Sequence, residues 1–209
     1  MPVEIRQATP DRVDDLAALL GRTFVDDPMI VWPFGADRAE LVTAFFKAFN
    51  EGIAARGWLW EAGDAEGVAA WIPPGSGTAM MDIDRSVRPI LAESRARHGE
   101  MWDWISNHFP PERSWYLDHI AVEPERRGNG IGTALIEHGL AFARRDGTPA
   151  FLETARPGNV AYYERRGFVS YLDEDAPGGG PHIWFMRYDP SPRAATRQAP
   201  TDKDRGRRR

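Results

Sequence analysis

The chain contains no cysteine. That absence excludes a disulfide framework, a thiolate metal site and a cysteine nucleophile. No apolar run approaches the roughly 20 residues needed to span a bilayer. The opening Met1-Pro2-Val3-Glu4-Ile5-Arg6 lacks the basic-then-apolar layout of a signal peptide. A soluble cytoplasmic protein is therefore expected. Glycine and proline, 20 and 17 of 209 residues, are too few for general disorder. Positive charge is scarce except at one end. Ser191 to Arg209 holds six Arg and one Lys against Asp202 and Asp204, a net +5 within a chain of net −5, which leaves −10 for residues 1–190. That body has the wrong sign for nonspecific binding to nucleic acid, which rests on phosphate neutralisation. Neither a nucleic-acid nor a membrane partner is expected for it. The tail has no hydrophobic residue larger than Ala. It cannot offset its own ordering entropy. One domain over residues 1–189 and a disordered basic tail over 190–209 are expected.

Against these absences stand 42% hydrophobic residues and 8 Trp, enough for a sizeable core. Val3 to Arg6 alternates like a strand. Val13, Leu16, Leu20 and Phe24 repeat at helical spacing after Thr9-Pro10. Asp37 and Glu40 form a capping box ahead of Leu41, Phe45 and Phe49. Trp58 to Trp60 and Val68 to Ile72 read as a hairpin, and residues 83–108 as one helical stretch. Strands at 115–122, 150–154, 168–172 and 183–188 alternate with helices beginning near Ile131 and Asn159. The order is β-α-α-β-β-α-β-α-β-α-β-β. It predicts an α/β layered domain with a mixed central sheet of about 6–7 strands flanked by helices.

Between strand and helix lies Val122-Glu123-Pro124-Glu125-Arg126-Arg127-Gly128-Asn129-Gly130-Ile131-Gly132-Thr133. Such a turn points backbone N–H groups at one spot, where the helix dipole favours an anion. Two better-known glycine loops fail here. A nucleotide P-loop ends Gly-Lys-Ser/Thr, but the chain reads Gly132-Thr133-Ala134. A dinucleotide fingerprint needs Gly at 128, 130 and 133, near the first strand. Residue 133 is Thr, and the loop follows the fourth strand.

What fits is Arg-x-x-Gly-x-Gly at Arg127, Gly130 and Gly132. With Asn159-Val160-Ala161-Tyr162-Tyr163-Glu164-Arg165-Arg166-Gly167-Phe168 downstream, the chain resembles the GNAT N-acetyltransferase superfamily. Val68 to Trp71, Trp115 to Leu117, Ala150 to Thr154 and Gly178 to Met186 look like its puromycin acetyltransferase branch. The resemblance implies acetyl-CoA as cosubstrate and no metal. It places pantetheine beside Ile120, Ala121 and Val122, with the N–H of Ile120 polarising the thioester carbonyl. The diphosphate would lie on the N–H groups of Gly128, Asn129, Gly130, Ile131, Gly132 and Thr133. Arg127, and after it Arg126, would add charge, and Asn159 would contact the pantetheine arm.

By the same resemblance Tyr163 is the general acid. A phenol with a reference pKa near 10 stays protonated at neutral pH and can donate to a departing thiolate. Asp118 and Glu153 are alternative bases, and a water chain is a third route. Strict alternation puts Asp118 and Tyr116 on one face of the strand and His119 on the other, in a structural role. The acceptor pocket is expected from Phe24, Asp26, Asp27, Trp32 and Phe34, with Trp102 and Trp104 as another wall. Acid and aromatic surfaces together suit a cationic, partly apolar amine. The leading expectation is acetyl transfer to a small-molecule primary amine, such as an antibiotic or other toxic amine. With no cysteine to carry the acyl group, direct transfer in a ternary complex is the simplest route. The alternatives are a protein N-terminal or lysine acetyltransferase and a non-catalytic acyl-CoA-binding domain. A monomer or a homodimer is expected.

Overall fold

The computed structural model describes residues 3–91 and 94–190, so the expected basic tail lies almost wholly outside the described residues. Seven strands form one sheet: β1 (Ile5–Gln7), β2 (Leu59–Ala62), β3 (Gly67–Ile72), β4 (Trp115–Val122), β5 (Ala150–Thr154), β6 (Phe168–Asp175) and β7 (His182–Tyr188). Their order is β1-β2-β3-β4-β5-β7-β6. All neighbours are antiparallel except β4 and β5. The helices are α1 (Val13–Phe24), α2 (Pro28–Phe34), α3 (Ala39–Ala54), α4 (Gly77–Leu91), α5 (Arg95–Asn107), α6 (Ile131–Asp146) and α7 (Pro157–Glu164).

Period-two alternation divides the core between the two faces of the sheet. Val68, Ala70 and Ile72 of β3 pack with Leu16, Leu20, Phe45, Phe46 and Ile53 from α1 and α3. Ala69 and Trp71 pack on the opposite face with Ile131, Leu135, Ile136 and Leu140 of α6. Every residue of β3 is thus buried, and the strand reads as an apolar run. Gly139 fits α6 against this face, because a Cβ there would come within 1.9 Å of the Trp71 ring. The Trp71 indole N–H donates to the Leu135 carbonyl, 3.1 Å away. A third cluster joins Met101 and Ile105 of α5 to Ile183 and Phe185 of β7.

Two departures from regularity open the site. The parallel strands β4 and β5 pair only at Trp115 with Ala150 and Tyr116 with Phe151. Beyond that point they part, and among the described residues the β5 side of β4 has no strand partner. On its other side β4 carries a bulge. Trp71 pairs with Leu117 and Ala70 with His119, leaving Asp118 unpaired.

Three local expectations are corrected. Residues 83–108 form two helices, since α4 ends at Leu91 and α5 begins at Arg95. Pro89 removes a backbone donor just before that break. A further helix, α2, occupies Pro28–Phe34, capped by Asp27 accepting from the Met29 N–H at 3.0 Å. The Asp37–Glu40 capping box does not form. Asp37 takes a left-handed φ of 58°, and Arg38 is the α3 N-cap without a side-chain bond.

Candidate active site

A cleft of about 1050 Å³ runs from the glycine-rich turn, past the parting of β4 and β5, to the helices α1 to α5. It is lined by Asp118, Ile120, Ala121, Val122, Arg127, Gly128, Gly130, Ile131, Gly132, Thr133, Glu153, Asn159 and Tyr163. Of the coenzyme-binding and catalytic residues expected from sequence, Asn129 alone stands off the wall, its side-chain amide donating to the Arg126 carbonyl at 3.2 Å.

At one end the backbone makes the site. Gly128 and Gly130 hold φ of 82° and 83°, a region open to glycine at little cost. A Cβ built on either meets nothing within 4 Å, so the turn faces open space. Gly130 caps the 16-residue α6 without any side-chain bond. The first N–H groups of that helix are therefore available to a ligand. Arg127 makes no ion pair among the described residues and donates to the Val122 carbonyl at 3.3 Å. Arg126 is held by Glu66 at 2.8 Å. Arg166 bonds the Thr133 hydroxyl, and its guanidinium stacks on Tyr162, 3.5 Å from the ring centre. Phosphate oxygens suit such a concentration of N–H donors and guanidinium groups. The donor set therefore fits the coenzyme diphosphate that the sequence resemblance implies.

At the centre, where β4 and β5 part, Tyr116, Glu153 and Tyr163 line the cleft. Tyr116 donates its hydroxyl proton to Glu153 Oε1 at 2.6 Å, while Oε2 is shielded from solvent without a partner. Burial pushes the Glu153 carboxyl up to about 8, with the charge of Asp118 adding and the Tyr116 bond opposing. Burial also holds Tyr163 well above the ordinary phenol value, with smaller contributions from Tyr162 and Glu153. Tyr163 is 6% exposed, and its hydroxyl has no hydrogen-bond partner among the described residues. Asn159 donates to Thr154 Oγ1 at 3.2 Å.

The bulge corrects the expectation for His119. By advancing the strand one residue, it brings His119 onto the face of Tyr116, where its ring lies against Phe46 and Phe49. His119 Nδ1 meets Asp118 Oδ1 at 2.8 Å, and Nε2 is buried without a partner. Alternation reads a strand in twos and cannot show an extra residue.

At the far end Phe24, Asp26, Asp27, Phe34 and Trp102 line the cleft as expected, but Trp32 and Trp104 do not. Those two indoles pack in the cluster beneath α5, Trp104 against Phe185 with ring centres 5.6 Å apart. The acids at the α1–α2 junction are also less free than the sequence suggests. Arg156, at the N-cap of α7, donates to Asp27 at 2.9 Å and Asp26 at 2.6 Å. The Asp27–Arg156 pair spans 129 residues of chain, so no local pattern announces it. Arg166 was present in the downstream motif without an assigned role.

A family model for the acetyltransferase (GNAT) family matches residues 77–168, which contain β4, the glycine-rich turn, α6 and α7. An uncharacterized N-acetyltransferase of Schizosaccharomyces pombe is 28% identical over 172 residues, covering 73% of this chain and 69% of that protein. Among solved structures, a histone acetyltransferase HPA2 and related acetyltransferase from Corynebacterium glutamicum aligns with a TM-score of 0.67 and 24% identity. The alignment covers 93% of this chain and 99% of that one. A polyamine N-acetyltransferase of Drosophila melanogaster, which forms N-acetylagmatine, aligns with a TM-score of 0.60 and 14% identity, over 90% and 100% of the two chains. The narrower likeness to the puromycin branch rests on the sequence segments alone. The motif order, the mixed seven-stranded sheet and the family match agree: residues 77–168 match the GNAT acetyltransferase family, and the chain is similar to N-acetyltransferases over most of its length.

Proposed function

We propose that the protein acetylates the primary amine of a small molecule, with acetyl-CoA as donor, by direct attack within a ternary complex. The observation that carries this reading is the single cleft, which joins a backbone-built anion site to an aromatic chamber with Glu153 and Tyr163 between them. The polyamine acetyltransferase of similar fold is consistent with a small-amine acceptor.

The N–H groups from Gly128 to Thr133 and the side chain of Arg127 would hold the diphosphate. Ile120, Ala121 and Val122, on the open side of β4, and Asn159 would hold the pantetheine arm. When bound, acetyl-CoA supplies an acyl thioester already activated for attack. The N–H of Ile120 polarises the carbonyl as charge develops on its oxygen. One oxygen of each carboxylate is engaged, and Glu153 is the stronger candidate for the base because its other oxygen, Oε2, is shielded from solvent without a partner among the described residues. Its elevated pKa lies near working pH, where a base combines availability with driving force. Tyr116 orients that carboxyl through Oε1. Tyr163 stays protonated and donates to the leaving sulfur. Positioning does most of the remaining work.

Thiol release from acetyl-CoA in the presence of an amine panel tests the reaction. Turnover of small primary amines is expected, and turnover confined to peptide amines would overturn the acceptor class.

A further inference from the structure

We infer that the acceptor is a primary monoamine with a bulky apolar body, recognised at a single amine head. This inference deepens the small-amine reading above and rests on it. It comes from which charges facing the cleft already have partners.

Six carboxylate and guanidinium groups at the cleft wall are neutralised locally. Asp26 and Asp27 bind Arg156. Asp84, at the far end, binds Arg88 at 3.0 Å. Arg22 binds Glu123 at 3.1 Å, and Arg126 binds Glu66. The other guanidiniums, Arg127, Arg165 and Arg166, repel an ammonium. The remaining acids are Asp118, engaged by His119, and Glu153. Among the described residues Glu153 alone offers the cleft a shielded carboxyl oxygen with no partner. Among the described residues every acid at the far end of the cleft already holds a guanidinium, so an amine head has a seat at the centre and a second cation has none at the far end.

Between these pairs the chamber is mostly apolar. Phe34, Phe45, Phe49, Met80, Met101 and Trp102 line it from four helices. Phe34 and Phe45 meet the His98 ring edge-on, with centres 6.0 and 5.4 Å away. Burial lowers the His98 pKa, so this residue adds no charge at neutral pH and attracts no anion. A distal guanidinium or ammonium would lose water here without gaining a counter-charge. An alkyl or aryl body would instead gain contact with the wall and leave water. The two methionines allow bodies of differing shape.

The test compares kcat/KM for propylamine, butylamine, pentylamine and hexylamine, with agmatine as a second-cation probe. The alkyl series is expected to rise about fourfold per methylene. Agmatine is expected at least about tenfold below hexylamine. Met80→Glu, which places an acid on the half-buried wall, is expected to shift the agmatine-to-hexylamine ratio about tenfold toward agmatine. A flat alkyl series, or a wild type that prefers agmatine, overturns the inference. Absence of thiol release with every amine, while calorimetry still shows acetyl-CoA binding, overturns the small-amine reading beneath it instead. The two failures are thus distinct.

Discussion

The two ends of the cleft are built in different materials. The end proposed for the coenzyme is mostly backbone: a turn of glycines and the uncapped start of α6. The end proposed for the acceptor is mostly side chain, contributed by α1 to α5 from places far apart in sequence. A backbone site constrains spacing, because only certain positions can be glycine, and so it leaves a readable string. A side-chain site constrains volume and charge, which many strings satisfy. The family resemblance therefore bears on the first end and says little of the second.

The sharpest way to probe this division is at the junction. Glu153→Gln and Tyr163→Phe are each expected to lower kcat about a hundredfold, with acetyl-CoA affinity from calorimetry unchanged. An unchanged kcat for Tyr163→Phe, with chemistry shown to limit turnover, removes that phenol from the acid role. Next in size is the coenzyme end itself. Arg127→Ala is expected to weaken acetyl-CoA binding about tenfold through loss of a charge-assisted contact. The rank order of amines should be unaffected. A changed amine preference would break the separation between the two ends.

A smaller effect is expected at the ion pairs that tie the ends together. Arg156→Ala leaves Asp27, 8% exposed, without its partner. Because Arg156 is 37% exposed, screening limits the loss to about 1 kcal/mol. Thermal unfolding should fall by about 2–4 °C.

The last comparison is a slope against pH. The Glu153 pKa is raised on folding, from 4.5 to about 8. The folded protein then holds that proton more tightly than the unfolded chain. Its stabilising contribution is complete below pH 4.5 and is lost as pH rises to about 8. Glu153→Gln, neutral throughout, should flatten the dependence of Tm on pH across that window. An unaltered slope would mean that the carboxyl is hydrated in the folded state.

Sequence reading recovered most strands, α1, α6 and α7, because long periodic segments carry their own phase. Gly130 and Gly132, and the Tyr163 segment, marked the coenzyme end through spacing. What escaped it was non-local. Asp26 and Asp27 looked free until Arg156, far along the chain, was seen to hold them. Trp32 and Trp104 looked like pocket walls because aromatic content does not say which side of a helix a ring takes. Asp37 looked like a cap, yet its left-handed backbone takes it out of that position.

The bulge at Asp118 has a consequence for how this protein tolerates change. Substitutions along β4 alter one side chain and leave the facing of the others intact. Removing Asp118 would restore strict alternation with Tyr116 still opposite Ile72 and His119 still opposite Ala70, so the facing on both sides would survive. Inserting one residue elsewhere in β4 would instead turn every side chain beyond it to the other face. The strand should thus tolerate loss of its bulge residue far better than the gain of a residue beside it.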